Sequence, residues 1–192
     1  GNLLTDVVMN LKLENIRKPI LVAPMAKGGS SVFFWYKGKQ KYRLDKFLQI
    51  SKKSNLNFDY WLWLQGETDA RPDLYLPFQS IAFNSEIGEI NYFYSTALDE
   101  IFNKVKTQYP NAVFGVSLTS KCNNNGNYYV RMGQKQVIED RDDTFFTFDT
   151  DTLGSEYRSD GCHFNESGSK VIASSFSNFI GESMNRSFRI IS

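Results

Sequence analysis

The residue best suited to proton transfer is His163, the single histidine among 192 residues. Asp160 lies three residues earlier, and this spacing allows a turn to bring its carboxylate to the imidazole. The carboxylate would accept the Nδ1 proton and leave the other ring nitrogen free to take a proton from a hydroxyl nucleophile. A surface aspartate bonded to a partly buried histidine fits the spacing too, and on spacing alone we favour that interpretation.

A second set of candidates follows two apolar runs of the sequence. Gly28 and Gly29, after the first run, let a ligand approach the backbone closely, so the amides there are candidate oxyanion donors. Gln65, after the second run, can donate from its side-chain amide, and Glu67 can hold Gln65 in place. Taken singly, the glycines are more typical of an ordinary turn. The Gln-Gly-Glu run is equally consistent with a polar strand end.

Alternating strands and helices must position these residues. Apolar residues at helical spacing predict helices over residues 3–11, 44–50, 93–105, 129–137 and 171–180. Apolar runs predict strands over residues 19–24, 59–64, 112–118 and 144–148. Strands separated by helices indicate an α/β fold with a parallel sheet and helices on both faces. Ligands bind beyond the carboxyl ends of such strands, where the candidates lie.

Composition limits the classes of function. The chain has 22 Lys+Arg and 21 Asp+Glu, a net charge of +1, which gives no electrostatic footprint for nucleic acid or a membrane surface. One histidine and two cysteines are too few for a zinc site built from several such ligands. No apolar run approaches the roughly 20 residues of a membrane span. We expect one domain over residues 1–192. We also expect reduced thiols at Cys122 and Cys162, with a disulfide as the alternative.

Taken together, the motifs resemble one branch of a known hydrolase superfamily. They are Ala26-Lys-Gly-Gly-Ser-Ser31, Trp35, Trp61-Leu-Trp-Leu-Gln-Gly-Glu-Thr-Asp-Ala70, Val130-Arg-Met-Gly-Gln134 with Asp149 and Asp151, and Asp160-Gly-Cys-His-Phe-Asn165. Their order and spacing resemble the sialate O-acetylesterase-like branch of the SGNH hydrolases, which includes carbohydrate acetylesterases. The resemblance runs from about residue 3 to about residue 180.

The resemblance implies both a fold and a reaction. The fold is a three-layer, flavodoxin-like α/β/α arrangement around a parallel sheet. His163 would be the general base and Asp160 its orienting partner, while Gly29 and Gln65 would form the oxyanion hole. The reaction would remove an O-acetyl group from a sugar, such as sialic acid or a polysaccharide unit, through an acyl-enzyme. The implied partner is an O-acetylated carbohydrate, and no metal or organic cofactor is implied.

One departure from the family pattern affects both the chemistry and the sheet. The family carries its nucleophilic serine in a Gly-Asp-Ser or Gly-Gln-Ser-Asn motif after its first strand, and this sequence has no such motif. Its first strand resembles the family's second. In the order 2-1-3-4-5, strand 1 lies inside the sheet, so its absence opens a gap about two strand spacings wide. We therefore predict an N-terminal segment, in this chain or a separate one, that supplies the strand and the serine. Direct pairing of residues 19–24 with 59–64 would contradict this prediction.

Three alternatives stay open from the sequence alone. Ser30 or Ser31 could be the nucleophile, although serine after glycines is more often part of a turn. The protein could be a non-catalytic sugar-binding module whose aromatic residues, including Trp35, Tyr128 and Tyr129, stack on sugar faces. It could also be an acyltransferase that uses the same triad on an alcohol acceptor. The presence of Asp160, His163, Gln65 and Gly29 in register favours chemistry over binding alone.

Overall fold

The computed structural model describes residues 3–13, 16, 19–71 and 88–189, with the side chains of 88–92 and 185–189 left out. Helices and strands alternate along these ranges, which confirms the predicted α/β class. The elements are α1 (Leu3–Leu13), α2 (Val32–Tyr36), α3 (Lys41–Lys53), β1 (Tyr60–Trp63), α4 (Gly88–Lys106), β2 (Val113–Leu118), α5 (Tyr128–Asp140), β3 (Thr144–Asp149) and α6 (Glu166–Arg189). Two short 3₁₀ turns, Thr150–Thr152 and Ser155–Tyr157, lie between β3 and α6.

The three strands form one parallel sheet in the order β1-β2-β3. Tyr60 lies opposite Val113, and Phe114 lies opposite Thr144. Parallel neighbours need crossover connections, which α4 and α5 provide. The carboxyl ends of all three strands therefore lie along the same edge of the sheet.

Alternation of side chains along the strands produces a core on each face of the sheet. One core contains Trp61, Trp63, Phe114 and Val116 from the strands, together with buried residues of α2, α3, α4 and α5. The other contains Tyr60, Leu62, Val113 and Phe145, together with buried residues of α1 and α6. The sheet is thus covered by helices on both faces, which accounts for strands that are apolar almost throughout.

The five predicted helices are confirmed as α1, α3, α4, α5 and α6, and two begin at asparagine caps. Asn127 accepts the N–H groups of Tyr129 and Val130 at the start of α5. Asn165 accepts the N–H of Gly168 at 3.0 Å at the start of α6. Such caps satisfy amides that have no partner within the first turn. The short helix α2 was not predicted, because five residues are too few to show a helical period.

Three of the four predicted strands are confirmed, and the strand predicted over residues 19–24 is wrong. This segment has no regular secondary structure, and Leu21 is 57% exposed. A strand requires a neighbour that takes its backbone hydrogen bonds, and no described residue bonds to the backbone of residues 19–26. Residues 19–24 do not pair with residues 59–64. The predicted N-terminal segment stays a prediction.

We expect Gly115→Ala to lower the free energy of unfolding by about 1–3 kcal/mol. A Cβ at this position in β2 would lie 2.8 Å from Cε1 of Phe179 and 2.9 Å from Cγ2 of Thr147, so the core over the sheet would have to shift. Urea unfolding followed by circular dichroism measures the change. Gly28→Ala is the matched control, because a Cβ there meets nothing within 4 Å. Equal losses in both variants would contradict the close packing at Gly115.

Candidate active site

The side chain of Gln134 joins the carboxyl ends of β1 and β2. It lies on the buried face of α5, between Val130 and Val137, and is fully buried. Its Nε2 donates to the carbonyl oxygens of Thr119 and Gln65, both at 2.9 Å. Its Oε1 accepts the N–H of Thr119 at 3.0 Å. Gln134 was not among the predicted site residues. A glutamine at a core position on the apolar face of a helix is the sequence signal that could have identified it.

Gly66 allows the ends of β1 and β2 to approach closely. A Cβ at this position would lie 1.9 Å from the carbonyl oxygen of Thr119 and 2.7 Å from Nε2 of Gln134. No larger residue fits there without movement of the backbone. The glycine of the Gln-Gly-Glu run is therefore a packing requirement.

The predicted pairing of Asp160 with His163 is present in the turn before α6. Oδ2 of Asp160 lies 2.7 Å from Nδ1 of His163, and Oδ1 accepts the N–H groups of Cys162 and His163 at 3.0 and 2.7 Å. These bonds, led by the one from the imidazole, hold the pKa of the Asp160 carboxyl well below its usual range. The ionised carboxylate directs Nδ1–H toward itself and leaves Nε2 without a partner among the described residues. The imidazole side chain is 78% exposed.

The expectation of reduced thiols is wrong, because Cys122 and Cys162 form a disulfide with an S–S distance of 2.08 Å. The two cysteines are 40 residues apart in sequence. They meet because the loop after β2 and the loop before α6 both lie at the carboxyl edge of the sheet. Asn123 also donates its N–H to the carbonyl of Gly161 at 2.9 Å. The disulfide ties the turn that carries His163 to the end of β2.

Arg158 packs against the same turn and is only 6% exposed. Its guanidinium donates to the carbonyl oxygens of Lys121, Cys162 and Thr150 at 3.1, 2.6 and 3.0 Å. The ring centroid of Phe164 lies 4.4 Å from it. One buried cation thus joins three segments, one after β2 and two between β3 and α6. No local pattern in the sequence pointed to this role.

Asp151 orders the loop that follows β2. Its carboxylate accepts the N–H and Oγ–H of Ser120 at 3.0 and 2.7 Å and the N–H of Lys121 at 2.8 Å. Arg131 donates to Asp151 at 2.9 Å and to Asp149 at 2.7 Å, and the bond from Arg131 lowers the pKa of Asp149. The motif residues Arg131, Asp149 and Asp151 thus act together to fix this loop.

Gly29 and Ser30 form a turn beside the end of β1. Gly29 has a φ of +66°, in the left-handed region that favours glycine, and no described residue accepts its N–H. The hydroxyl of Ser30 donates to the carbonyl of Lys27 at 2.7 Å and accepts from Nε1 of Trp35 at 2.9 Å. Ser30 is 5% exposed, and Ser31 is 6% exposed. This geometry favours a structural role for Ser30 over the nucleophilic alternative.

The side chain of Gln65 is held by three neighbours. Nε2 donates to the carbonyl of Ser30 at 3.0 Å and also to Oδ2 of Asp69. Oε1 accepts from the hydroxyl of Tyr94 at 3.0 Å. Both N–H groups of the amide are therefore in use. A role as oxyanion donor requires that Gln65 exchange one of these bonds.

Asp69 fixes Gln65, the role that we predicted for Glu67. Asp69 is 5% exposed and also accepts the N–H of Val32 at 3.0 Å. Burial raises the pKa of Asp69 to about 7. Among the described residues, Glu67 accepts the N–H of its neighbour Gly66 at 3.2 Å and forms no hydrogen bond with the amide of Gln65.

The candidates lie along one edge of the sheet in two clusters. Gly29, Ser30 and Gln65 form the first, and Asp160 and His163 form the second. In the described part of the chain, no hydrogen bond joins the two clusters directly. They are connected through residues 119–122, which Gln134 holds at one end and the disulfide holds at the other.

The aromatic residues considered for sugar stacking differ in exposure. Trp35 is 7% exposed and is bonded to Ser30, so its ring belongs to the core. Tyr128 is 67% exposed, and its ring packs edge-on against Tyr129 with centroids 5.5 Å apart. Of these three residues, only the tyrosine pair offers a ring to a ligand.

Comparisons with known proteins inform the fold alone. No protein-family model matches the chain, and no curated protein matches it. The crystal structure of an Arabidopsis thaliana protein is similar, with a TM-score of 0.65 and 17% sequence identity. The match covers 88% of this chain and 63% of that one, so this chain spans less than two thirds of that protein's length.

Two further observations concern membranes and metals. Across residues 3–13, 19–71 and 88–189, no helix has the length and apolar character needed to cross a bilayer. Within the same ranges, no group of three or more His, Cys, Asp or Glu side chains is arranged to hold a metal ion.

We expect the neutral ring of His163 to carry its proton on Nδ1. The charged Asp160 carboxylate favours this tautomer, and Asp160→Asn should shift the ring toward the Nε2–H form. ¹⁵N NMR measures the tautomer, and the single histidine makes its signals unambiguous. Glu166→Gln is the matched control, because this exposed carboxylate pairs with Lys170 instead. Identical ring shifts in the wild type and Asp160→Asn would contradict the assignment.

The buried Asp69 should make stability depend on pH. Its folded-state pKa of about 7 lies above the ordinary value of 3.8, so between these values the folded protein keeps a proton that the unfolded chain has lost. Stability conferred by this group is complete below about pH 4 and declines as the pH rises through 7. We expect the stability of the wild type relative to Asp69→Asn to fall by about 3 kcal/mol between pH 4.5 and pH 7.5. Urea unfolding of both proteins at pH 4.5, 6 and 7.5 measures the difference. A difference in stability that does not change with pH would show that Asp69 is ionised in the folded protein across this range.

Proposed function

We propose that this protein is a carbohydrate O-acetylesterase of the SGNH type whose nucleophilic serine lies in an N-terminal segment outside this sequence. The Asp160–His163 pair carries the proposal. Its Oδ2–Nδ1 distance is 2.7 Å, and the carboxylate accepts two backbone N–H groups as well. A carboxylate and a histidine that meet by chance at the surface need no such set of hydrogen bonds to hold them. The turn is further held by the disulfide and by Arg158, as expected for a base that must keep one orientation.

The proposed reaction uses the free Nε2 of His163 twice. In the first step, Nε2 takes the hydroxyl proton as the serine oxygen bonds to the acetyl carbon. The imidazolium then gives that proton to the sugar oxygen as its bond to the acetyl carbon breaks. Water repeats the sequence on the acyl-enzyme and releases acetate. Asp160 stays ionised and stabilises the imidazolium that forms in each step.

Gly29 and Gln65 are the proposed oxyanion donors. The N–H of Gly29 has no acceptor among the described residues, and the left-handed turn leaves open space around it. Gln65 would turn one N–H from the Ser30 carbonyl toward the oxyanion while its bond to Asp69 keeps the amide in place. A donor aimed at the developing charge commonly contributes about 10²–10³ in kcat.

The strand order is compatible with the flavodoxin-like arrangement of the proposed family. The observed order β1-β2-β3 corresponds to strands 3-4-5 of the order 2-1-3-4-5. The similarity to the Arabidopsis protein supports the fold and carries no information about the reaction. An acyltransferase would use the same groups, with an alcohol in place of water in the second step.

We expect His163→Ala to lower the rate of acetate release from O-acetylated sugars by at least about 10³-fold. The assay uses the natural protein with any residues that precede Gly1. Asp160→Asn should lose about 10²–10⁴-fold, because it no longer stabilises the imidazolium. Glu166→Gln should act like the wild type. The same assay with an alcohol acceptor separates transfer from hydrolysis.

Two outcomes would contradict the proposal. One is near-wild-type acetate release by a folded His163→Ala protein. The other is an inactive wild type that binds sugars and whose affinity is unchanged in His163→Ala, which would favour the binding module. Circular dichroism of each variant verifies that the fold is intact.

A further inference from the structure

A tight turn made of asparagines lies in the loop that follows β2. Cys122 and Asn125 pair across it, and the N–H of each donates to the carbonyl of the other, at 2.9 and 3.0 Å. Asn123 and Asn124 at the tip have φ angles of +52° and +61°. A two-residue turn of this kind needs positive φ at both positions, which asparagine tolerates better than most residues. Backbone bonds alone close the turn, so its asparagine side chains play no part in holding it.

The side-chain amides of these three asparagines are unused. Asn123, Asn124 and Asn125 are exposed, and no described residue bonds to their side chains. By contrast, the side chains of Asn127 and Asn165 cap helices. Each amide offers two N–H donors and one oxygen acceptor in a plane. The turn therefore presents a dense set of free donors and acceptors at the carboxyl edge of the sheet.

Two tyrosines follow the turn at the start of α5. Tyr128 is 67% exposed, and its ring meets that of Tyr129 with centroids 5.5 Å apart and planes at 82°. Neither phenol hydroxyl bonds to a described residue. A tyrosine of this kind offers a large rigid contact surface with a polar end, at a low cost in conformational entropy. We name Asn123–Asn125, Tyr128 and Tyr129 together the asparagine–tyrosine patch.

The asparagine–tyrosine patch is joined directly to the turn that carries His163. The N–H of Asn123 donates to the carbonyl of Gly161 at 2.9 Å. A Cβ placed on Gly161 would lie 3.1 Å from Oδ1 of Asn123, so this side chain lies against the turn. Cys122, which precedes the patch, is bonded to Cys162, which precedes the histidine. A ligand that reaches beyond His163 on this side meets the patch.

The charge and chemistry of the patch indicate what kind of ligand it fits. No residue from Cys122 to Val130 is charged. A polyanion would need cations here, and an apolar ligand would not match the amides. The hydroxyls of a neutral sugar both donate and accept hydrogen bonds, as amides do, and its C–H faces pack against aromatic rings. Amides beside aromatic rings therefore match a neutral sugar best.

We infer that the asparagine–tyrosine patch binds a neutral sugar unit next to the acetylated one, so that the substrate is a neutral oligosaccharide or polysaccharide. The placement of the acetylated unit at His163 rests on the proposed function, whereas sugar binding to the patch does not depend on the reaction. Asp151 and the disulfide hold the loop through Lys121 and Cys122. The patch is thus ordered before a ligand arrives, which lowers the entropic cost of binding.

Isothermal titration calorimetry tests the binding step without the reaction. The natural protein, with any residues that precede Gly1, is titrated with unacetylated cellotetraose, xylotetraose and mannotetraose and with the matching monosaccharides. At least one tetrasaccharide should bind at least about tenfold more tightly than its monosaccharide, because several units share the contacts. Tetragalacturonate, an acidic control, should bind more weakly than that tetrasaccharide. Failure of all three neutral tetrasaccharides to bind saturably, or tighter binding of the acidic one, would overturn the inference.

A matched pair of tyrosine variants tests the ring. Tyr128→Ala should weaken binding of the best tetrasaccharide at least about tenfold, as expected for an aromatic residue that contacts the ligand. Tyr42→Ala is the control and should bind like the wild type. Tyr42, on α3, is 69% exposed, so the two changes remove equally exposed rings. Equal affinities in the two variants would place the sugar elsewhere and overturn the inference.

A matched pair of asparagine variants tests the amides. Asn124→Gly removes one amide at a position whose positive φ suits glycine, so the turn keeps its shape. It should weaken tetrasaccharide binding at least about threefold, the effect of a lost hydrogen bond. Asn55→Gly is the control, because this exposed asparagine has a φ of +51° and lies directly after α3. An unchanged affinity in Asn124→Gly, together with one in Tyr128→Ala, would overturn the inference.

Steady-state kinetics connects the patch to the reaction. For the wild type, the KM for the acetylated tetrasaccharide should lie at least about tenfold below that for the acetylated monosaccharide. Tyr128→Ala should raise the first KM toward the second, and it should change KM more than kcat, since the patch lies away from the reacting atoms. A loss confined to kcat would contradict this role.

These readouts separate the patch from the reaction. Tetrasaccharide binding that Tyr128→Ala weakens, in a protein that releases no acetate, would support the patch and contradict the esterase. Acetate release with no preference for the tetrasaccharide, and with the same KM in Tyr128→Ala, would contradict the patch alone.

Discussion

The amide of Gln134 determines how the ends of β1 and β2 meet, and most of the candidate site is built on that junction. It bonds the carbonyl of Gln65 on one strand and both backbone groups of Thr119 on the other. A fully buried amide requires such partners, since an unbonded one costs about 1–3 kcal/mol. Gly66 permits the approach because any Cβ would collide with Thr119. The two residues together set where the loop after β2 begins.

From that loop, covalent and ionic contacts lead to the His163 turn. Asp151 accepts hydrogen bonds from the first residues of the loop, and the disulfide joins the loop to the turn. Arg158 donates hydrogen bonds to both the loop and the turn. The imidazole is exposed, whereas Arg158 is buried and Cys162 is cross-linked to Cys122. This combination suits a residue that must meet a solvent-borne substrate in a fixed orientation. It also explains why so many polar side chains are buried at this edge of the sheet.

The open edge of β1 connects the fold to the proposed reaction. An apolar groove of about 350 Å³ runs along the edge of β1 that faces away from β2. Here the groove ends at Ser30 and Gln65, beside the candidate oxyanion donors.

The sequence by itself determined the α/β alternation, five helices, three strands and the Asp160–His163 pair. Each rests on apolar periodicity or on contacts within a few residues, which local spacing encodes. Tertiary structure decided the rest. Residues 19–24 look like a strand by composition yet pair with no strand in the described part of the chain. Three features depend on which loops the parallel sheet brings to one edge. They are the disulfide between Cys122 and Cys162, the hydrogen bond between Asp69 and Gln65, and the position of Arg158. Pairing and burial are properties of neighbours in space, so a run of residues cannot specify them alone.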